Sequence, residues 1–150
     1  MKVVIQRVSE ASVTINSKLI CSINKGLLIL LGIEQEDDIG DVSWLTKKIS
    51  NLRIFSDLNG KMNLSIKELD AQIIVVSQFT LHAKTKKGNR PSYINAAKPQ
   101  HAIALYENFL ESLASDSEKN IFSGKFGADM QVSLINDGPV TIIIDTKDKE

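Results

Sequence analysis

The sequence predicts a mixed α/β or α+β fold, a barrel-like β-sheet packed with two main amphipathic helices in a single domain. Three observations predict it. Two runs of aliphatic and β-branched residues, 27–33 and 73–76, are too short for helices and apolar enough for strands buried on both faces. Two other segments, from Val42 to Leu52 and from Ala102 to Leu113, carry apolar residues at helical spacing. Finally, 150 residues with 43% hydrophobic and 24% charged content suit one core, and no linker, repeat or low-complexity tract divides residues 1–150.

Residues 2–15 alternate loosely and are rich in Val, Ile and Thr; the polar turn Ile15-Asn16-Ser17-Lys18-Leu19 then folds them into a long hairpin. Gly26 opens a continuous apolar run to Ile33, which belongs in mid-sheet. An acidic loop at 34–38 precedes Val42, Leu45, Ile49 and Leu52, spaced by three, four and three, with Asp41 able to cap the helix. Asp57-Leu58-Asn59-Gly60-Lys61 has turn chemistry. The strand from Ile73 changes from apolar to polar at Ser77, Gln78 and Thr80, as a central strand does where it leaves the sheet. Residues 84–90 hold four lysines or arginines and form a mobile basic loop. Pro99 suits the first turn of a second helix, with Ala102, Tyr106, Phe109 and Leu113 on one face and a polar link at 115–120 behind it. Met130, Val132 and Leu134 alternate with polar residues until Asn136-Asp137-Gly138-Pro139 intervenes, and Val140 to Ile144 resumes, giving a second hairpin. Residues 147–150 read as a frayed tail.

Eighteen basic and eighteen acidic residues cancel, which argues against a polycation and confines any nucleic-acid contact to a local patch. One cysteine cannot form an internal disulfide, and two histidines make a zinc cage improbable, so no metal and no cofactor is expected. No apolar run reaches membrane-spanning length, and Lys2, Gln6 and Arg7 interrupt the first one. The expectation is a soluble cytoplasmic protein with neither membrane nor DNA as a partner.

Among candidate groups, Ser77 and His82 lack the nucleophile-elbow glycines of a serine hydrolase, and His101 falls inside a helix. Cys21, within a strand, reads as a small packed hydrophobe. Asp37, Asp38 and Asp41 flank a helix start, where carboxylates favour the helix dipole. Residues 77–80 draw more interest. Ladder amides at the end of a strand can leave the sheet and hold an oxyanion, although Ser and Thr can equally satisfy edge groups while Phe79 packs in the core. For Gly138-Pro139 the plain reading is a turn with a trans bond. The basic loop is ordinarily a solvated surface, yet its closeness to 77–80 places Lys84, Lys86, Lys87 and Arg90 where phosphates of an attached substrate would lie.

Two motifs make the chain recognisable. Ser77-Gln78-Phe79-Thr80-Leu81 and Asn136-Asp137-Gly138-Pro139-Val140-Thr141 resemble the paired signatures of D-aminoacyl-tRNA deacylases, the D-tyrosyl-tRNA deacylase family. The resemblance extends through residues 1–8, Phe55, Gly60-Lys61-Met62-Asn63-Leu64 and Gly88-Asn89-Arg90-Pro91-Ser92, from Met1 to about Thr146. Tyr93 departs from it, standing where many relatives have phenylalanine.

The resemblance implies a homodimer with active sites at the interface, hydrolysing the ester between a D-amino acid and the terminal ribose of tRNA as proofreading. It implies that Gly138-Pro139 is cis and inserted from one subunit into the other's pocket, with Asn136 in the same motif and Arg7 holding it. Main-chain atoms would then sense handedness: an L side chain collides, while glycine passes, so glycyl-tRNA mischarged on alanine tRNA would also be cleaved. Ser77, Gln78, Phe79 and Thr80 would form the catalytic group through backbone amides, with help from the ribose 2′-hydroxyl. The residues by themselves also fit a non-catalytic RNA-binding module or a hydrolase of small free esters.

Overall fold

In the computed structural model, which describes residues 1–149, strand β1 (Lys2–Ile15) organises the sheet because it pairs along both edges. On one edge its first half runs antiparallel to β3 (Gly26–Gly32) and its second half to β2 (Lys18–Ile23). On the other it runs antiparallel to β8 (Gln131–Asp145) over most of its length. β6 (Gln72–Ser77) lies parallel beside β3, and β7 (Ile121–Ser123) parallel beside β6. The path β2-β1-β3-β6-β7 curls until its ends approach, where the thiol of Cys21 in β2 reaches Ser123 O in β7 at 3.7 Å. This is the barrel-like sheet expected. Helices α1 (Ile39–Asn51) and α2 (Pro99–Ser117) pack on it, and β4 (Phe55–Ser56) with β5 (Met62–Leu64) forms a ribbon around the predicted turn.

The apolar run of β3 is continuous because the strand serves two cores. Leu27, Ile29 and Leu31 join Ile73 and Val75 of β6 under the helices, against Val42, Leu45, Ile49 and Phe109. Leu28, Ile74 and Val76 face the barrel interior with Val8, Val13 and Ile23. Gly26 is required where the parallel strands begin, since a Cβ there would lie 1.8 Å from Gln72 O.

β1 changes sides midway. Met1, Val3 and Ile5 belong to the helix-side core, whereas Val8, Ala11 and Val13 belong to the barrel. Register shifts against β8 between Gln6 and Val8, and between Val8 and Glu10, produce the exchange. That explains its loose alternation in sequence.

Four expectations need correction. The C-terminal segment is one strand, because both halves of β8 pair with β1: Gln6 pairs with Thr141 but Val8 with Asn136, so residues 137–140 bulge out as an excursion. The cap of α1 is Asp38, whose Oδ1 accepts from the amides of Gly40 and Asp41, while Asp41 Oδ2 accepts from the Asp38 amide. The strand from Ile73 ends at Ser77, and a 3-10 turn, Phe79–His82, follows. The tail is held: Lys147 Nζ donates to Asp41 Oδ2 at 2.8 Å and to Glu36 O at 3.3 Å, and Thr146 is buried. Glu150, also assigned to that tail, lies outside the described residues. No helix among the described residues is long and apolar enough to cross a membrane.

Candidate active site

The polar end of β6 is built on β3. Leu31 pairs with Ser77, and the Gln78 amide donates to Leu31 O at 2.7 Å, extending the pairing one residue past the strand. The chain then bends into the 3-10 turn over Gly32. A Cβ at Gly32 would lie 2.9 Å from Gln78 O, 3.0 Å from Leu81 Cβ and 3.1 Å from His82 Cδ2. Only a glycine lets the turn sit this low. Because Gln78 N–H is engaged and the first amides of a helical turn lack partners within it, the free donors narrow to Phe79 and Thr80.

The Thr80 hydroxyl accepts from the Gln78 side-chain amide, and its hydrogen bonds among the described residues include no histidine or lysine. His82, at the far end of the turn, is buried, with Nδ1 4.0 Å from Glu34 Oε2 and Nε2 lacking a partner. Phe79 does not pack in the core: it is 57% exposed and meets Tyr93 edge-to-face, with ring centroids 4.9 Å apart.

A cavity of about 490 Å³ opens beside the turn, walled by Ser77, Gln78 and Phe79 on one side and Phe126, Met130 and Val132 on another. It lies at the carboxyl end of the parallel pair β3 and β6, where open sheets of parallel strands place their ligands. Phe126, Met130 and Gly32 were not legible as site residues, since each reads as packing or strand termination.

Gly138 and Pro139 lie in the exposed excursion of β8, joined by a cis peptide bond, the isomer the resemblance implies and local preference disfavours. Gly138 has φ +153°, and a Cβ there would meet Val140 N at 2.6 Å. Asn136 closes the base: its Oδ1 accepts from the Val140 amide at 2.9 Å, and its Nδ2 donates to Gln6 Oε1 at 2.8 Å. Arg7 is no solvated surface charge. Nearly buried, it donates from Nε to Asp137 O at 2.8 Å and from Nη1 to Ile54 O at 2.7 Å, and its guanidinium pairs with the Asp137 carboxylate at 3.3 Å. Within one chain, the excursion does not line the cavity beside residues 77–80.

Lys84, Lys86, Lys87 and Arg90 are exposed on a loop closed by backbone hydrogen bonds between Lys84 and Ser92. The acidic residues divide their roles. Asp38 and Asp41 cap α1, whereas Asp37 is committed elsewhere, its Oδ1 accepting from the Met1 ammonium at 2.5 Å and its Oδ2 from the Glu34 amide at 2.8 Å. Cys21 packs as expected, its thiol pKa raised by burial against a smaller opposing effect of its backbone hydrogen bond with Val13.

The sequence matches, over residues 4–145, the family described as D-Tyr-tRNA(Tyr) deacylase. It is 65% identical to a D-aminoacyl-tRNA deacylase of Flavobacterium psychrophilum and 61% identical to one of Bacteroides fragilis, each alignment covering 100% of both chains. Among solved structures, one titled "c-Myc DNA Unwinding Element Binding Protein" is 43% identical with TM-score 0.90, covering 97% of this chain and 98% of that one. Another, titled "Structural Analysis of a probable eukaryotic D-amino acid tRNA deacylase", superposes with TM-score 0.83 at 16% identity, a likeness of fold, covering 95% and 97% of the two chains.

Proposed function

Because the chain belongs to the D-Tyr-tRNA(Tyr) deacylase family, we propose that it hydrolyses the ester of D-aminoacyl-tRNA with the main-chain amides of Phe79 and Thr80 as the oxyanion donors. The observation that carries this reading is the seating of the turn on Gly32, which puts Phe79 in the wall of a cavity large enough for a terminal nucleoside and its amino acid, with Thr80 next in the turn. Water adds to the ester carbonyl carbon, and the charge gathering on its oxygen meets the two N–H groups. The bond to the ribose 3′-oxygen then breaks, that oxygen takes a proton, and free D-amino acid and tRNA leave. Among the described residues no histidine or lysine hydrogen-bonds to Thr80, so the neighbouring ribose 2′-hydroxyl is the group that would relay the proton.

Handedness is sensed by the Gly138-Pro139 backbone of a second copy. The two motifs lie apart in one chain, as donation across an interface requires, and Arg7 with Asn136 braces the excursion for it. β8 supports a homodimer: it is a 15-residue strand that, among the described residues, pairs only with β1, and Ile135 and Ile143 are 54% and 73% exposed. The L side chain is driven against that backbone, while a D side chain or glycine is admitted, so glycyl-tRNA is a further substrate. The basic loop holds tRNA phosphates, and the cytoplasm, where tRNA is charged, is the place of work.

The test is to follow ester loss from matched D-tyrosyl-, L-tyrosyl- and glycyl-tRNA, and from D-tyrosyl-tRNA ending in 2′-deoxyadenosine. Rapid loss of the D and glycyl esters, survival of the L ester and slow loss of the deoxy substrate are expected. Equal loss of D and L esters would remove the chiral reading, and full-speed hydrolysis of the deoxy substrate would remove the ribose from the mechanism.

A further inference from the structure

Folding ordinarily hides aromatic rings, yet the catalytic turn displays one. In the single chain Phe79 is 57% exposed, its neighbour Tyr93 is 37% exposed, and Ile94, next in sequence to Tyr93, is 80% exposed. The rings meet at 74°, an edge-to-face arrangement that leaves ring faces uncovered. Phe79 also forms part of the cavity wall, so its exposed ring adjoins whatever is bound there. Tyr93 follows directly on Ser92, the residue that closes the basic loop.

Charge selects the occupant. From Ala83 to Tyr106 the sequence has Lys84, Lys86, Lys87, Arg90 and Lys98 and no carboxylate. None of these five cations forms an ion pair among the described residues. Exposed aromatic faces beside unpaired cations are the combination that holds single-stranded nucleic acid, the cations following the phosphates and the rings taking the bases. We infer that the rings of Phe79 and Tyr93 form a stacking shelf, flanked by the apolar Ile94, for the unpaired bases that immediately precede the terminal nucleotide of the substrate RNA. This rests on the deacylase reading and adds to it a second recognition element, outside the cavity. Stacking asks only for a π-face, so the shelf favours an unpaired end without choosing its sequence.

The experiment uses Tyr93→Ala and the conservative Tyr93→Phe, each assayed on D-tyrosyl-tRNA and on the short ester 3′-O-D-tyrosyl-adenosine. In Tyr93→Ala, KM for the charged tRNA should rise roughly 5- to 100-fold with little change in kcat. Turnover of the short ester should be unchanged, and Tyr93→Phe should behave as wild type. Independently of activity, 2-aminopurine at the penultimate position of an uncharged RNA 3′ end should be quenched by the wild-type protein and not by Tyr93→Ala. Equal losses on both substrates would show that Tyr93 only props Phe79, and no loss on either would remove the shelf. Dissociation of an oligomer by Tyr93→Ala would reassign the patch to a subunit contact. Failure of the wild-type protein on both esters would overturn the deacylase reading itself, and the shelf with it.

Discussion

Gly32 lies beneath the turn that carries Phe79 and Thr80, so a change there tests backbone against side-chain catalysis. A methyl at Gly32 must push Gln78 O and the Leu81 and His82 side chains outward by a few tenths of an ångström. Gly32→Ala should fold, with an unchanged circular dichroism spectrum, and lose up to about 10²-fold in kcat, as small misplacements of catalytic groups do. Thr80→Ala should keep its rate within about tenfold, because an unassisted hydroxyl is a weak nucleophile. The reverse ranking would move the chemistry to the hydroxyl. At this scale the sequence was informative where polarity broke a pattern, as at Ser77, Gln78 and Thr80. It was silent where the pattern continued: Phe79 in an apolar strand reads as core, and only the bend at Gln78 exposes it. Gly32 reads as a strand end until its partners are known.

At the scale of elements, β8 shows what local chemistry leaves open. Asn-Asp-Gly-Pro is turn chemistry, and a hairpin and a bulged strand both call for it. The choice is made by β1, which is long enough to pair with both halves. Arg7 was similarly ambiguous, since an arginine on a strand is usually solvated, and its anchoring of Asp137 and Ile54 is visible only once three distant segments meet. Arg7→Gln should leave two carbonyls short of a donor and cost about 1–3 kcal/mol in urea unfolding. Amide exchange of residues 137–140 should accelerate and hydrolysis of D-tyrosyl-tRNA should fall. Unchanged exchange there would release Arg7 from its bracing role. By contrast, β3 was legible from a continuous apolar run too short for a helix, and both helices from their periodicity, because tertiary packing buries the residues these patterns mark.

Across the whole molecule, the first and last described segments are tied by charge. The Met1 ammonium contacts Asp37 and Thr146, and Lys147 bridges Asp37 and Asp41, so the tail that composition reads as frayed is pinned beside the start of α1. Burial would raise the Asp41 pKa, but hydrogen bonds from Lys147, Thr146 and the Asp38 amide outweigh it and hold the carboxyl at about 2, below its ordinary 3.8. Lys147 is shifted upward, chiefly by its hydrogen bond to Asp41. A depressed carboxyl pKa stabilises the fold above the unfolded value and loses that contribution as pH falls from about 4 through 2. Lys147→Met should therefore cost about 1 kcal/mol near neutral pH, the discount for its exposure included. The gap from wild type in urea unfolding should close toward pH 2, and the raised Lys147 pKa keeps the pair intact until pH climbs beyond the ordinary lysine range. A gap that is constant across the acid range would deny the pair its electrostatic origin.

The crossing of β1 from one core to the other has a mechanical side. Ile5 and Val13 sit in different hydrophobic layers but on a single rod of backbone, so neither layer can loosen without dragging its neighbour's principal strand out of place. Heat should accordingly meet a structure that yields all at once.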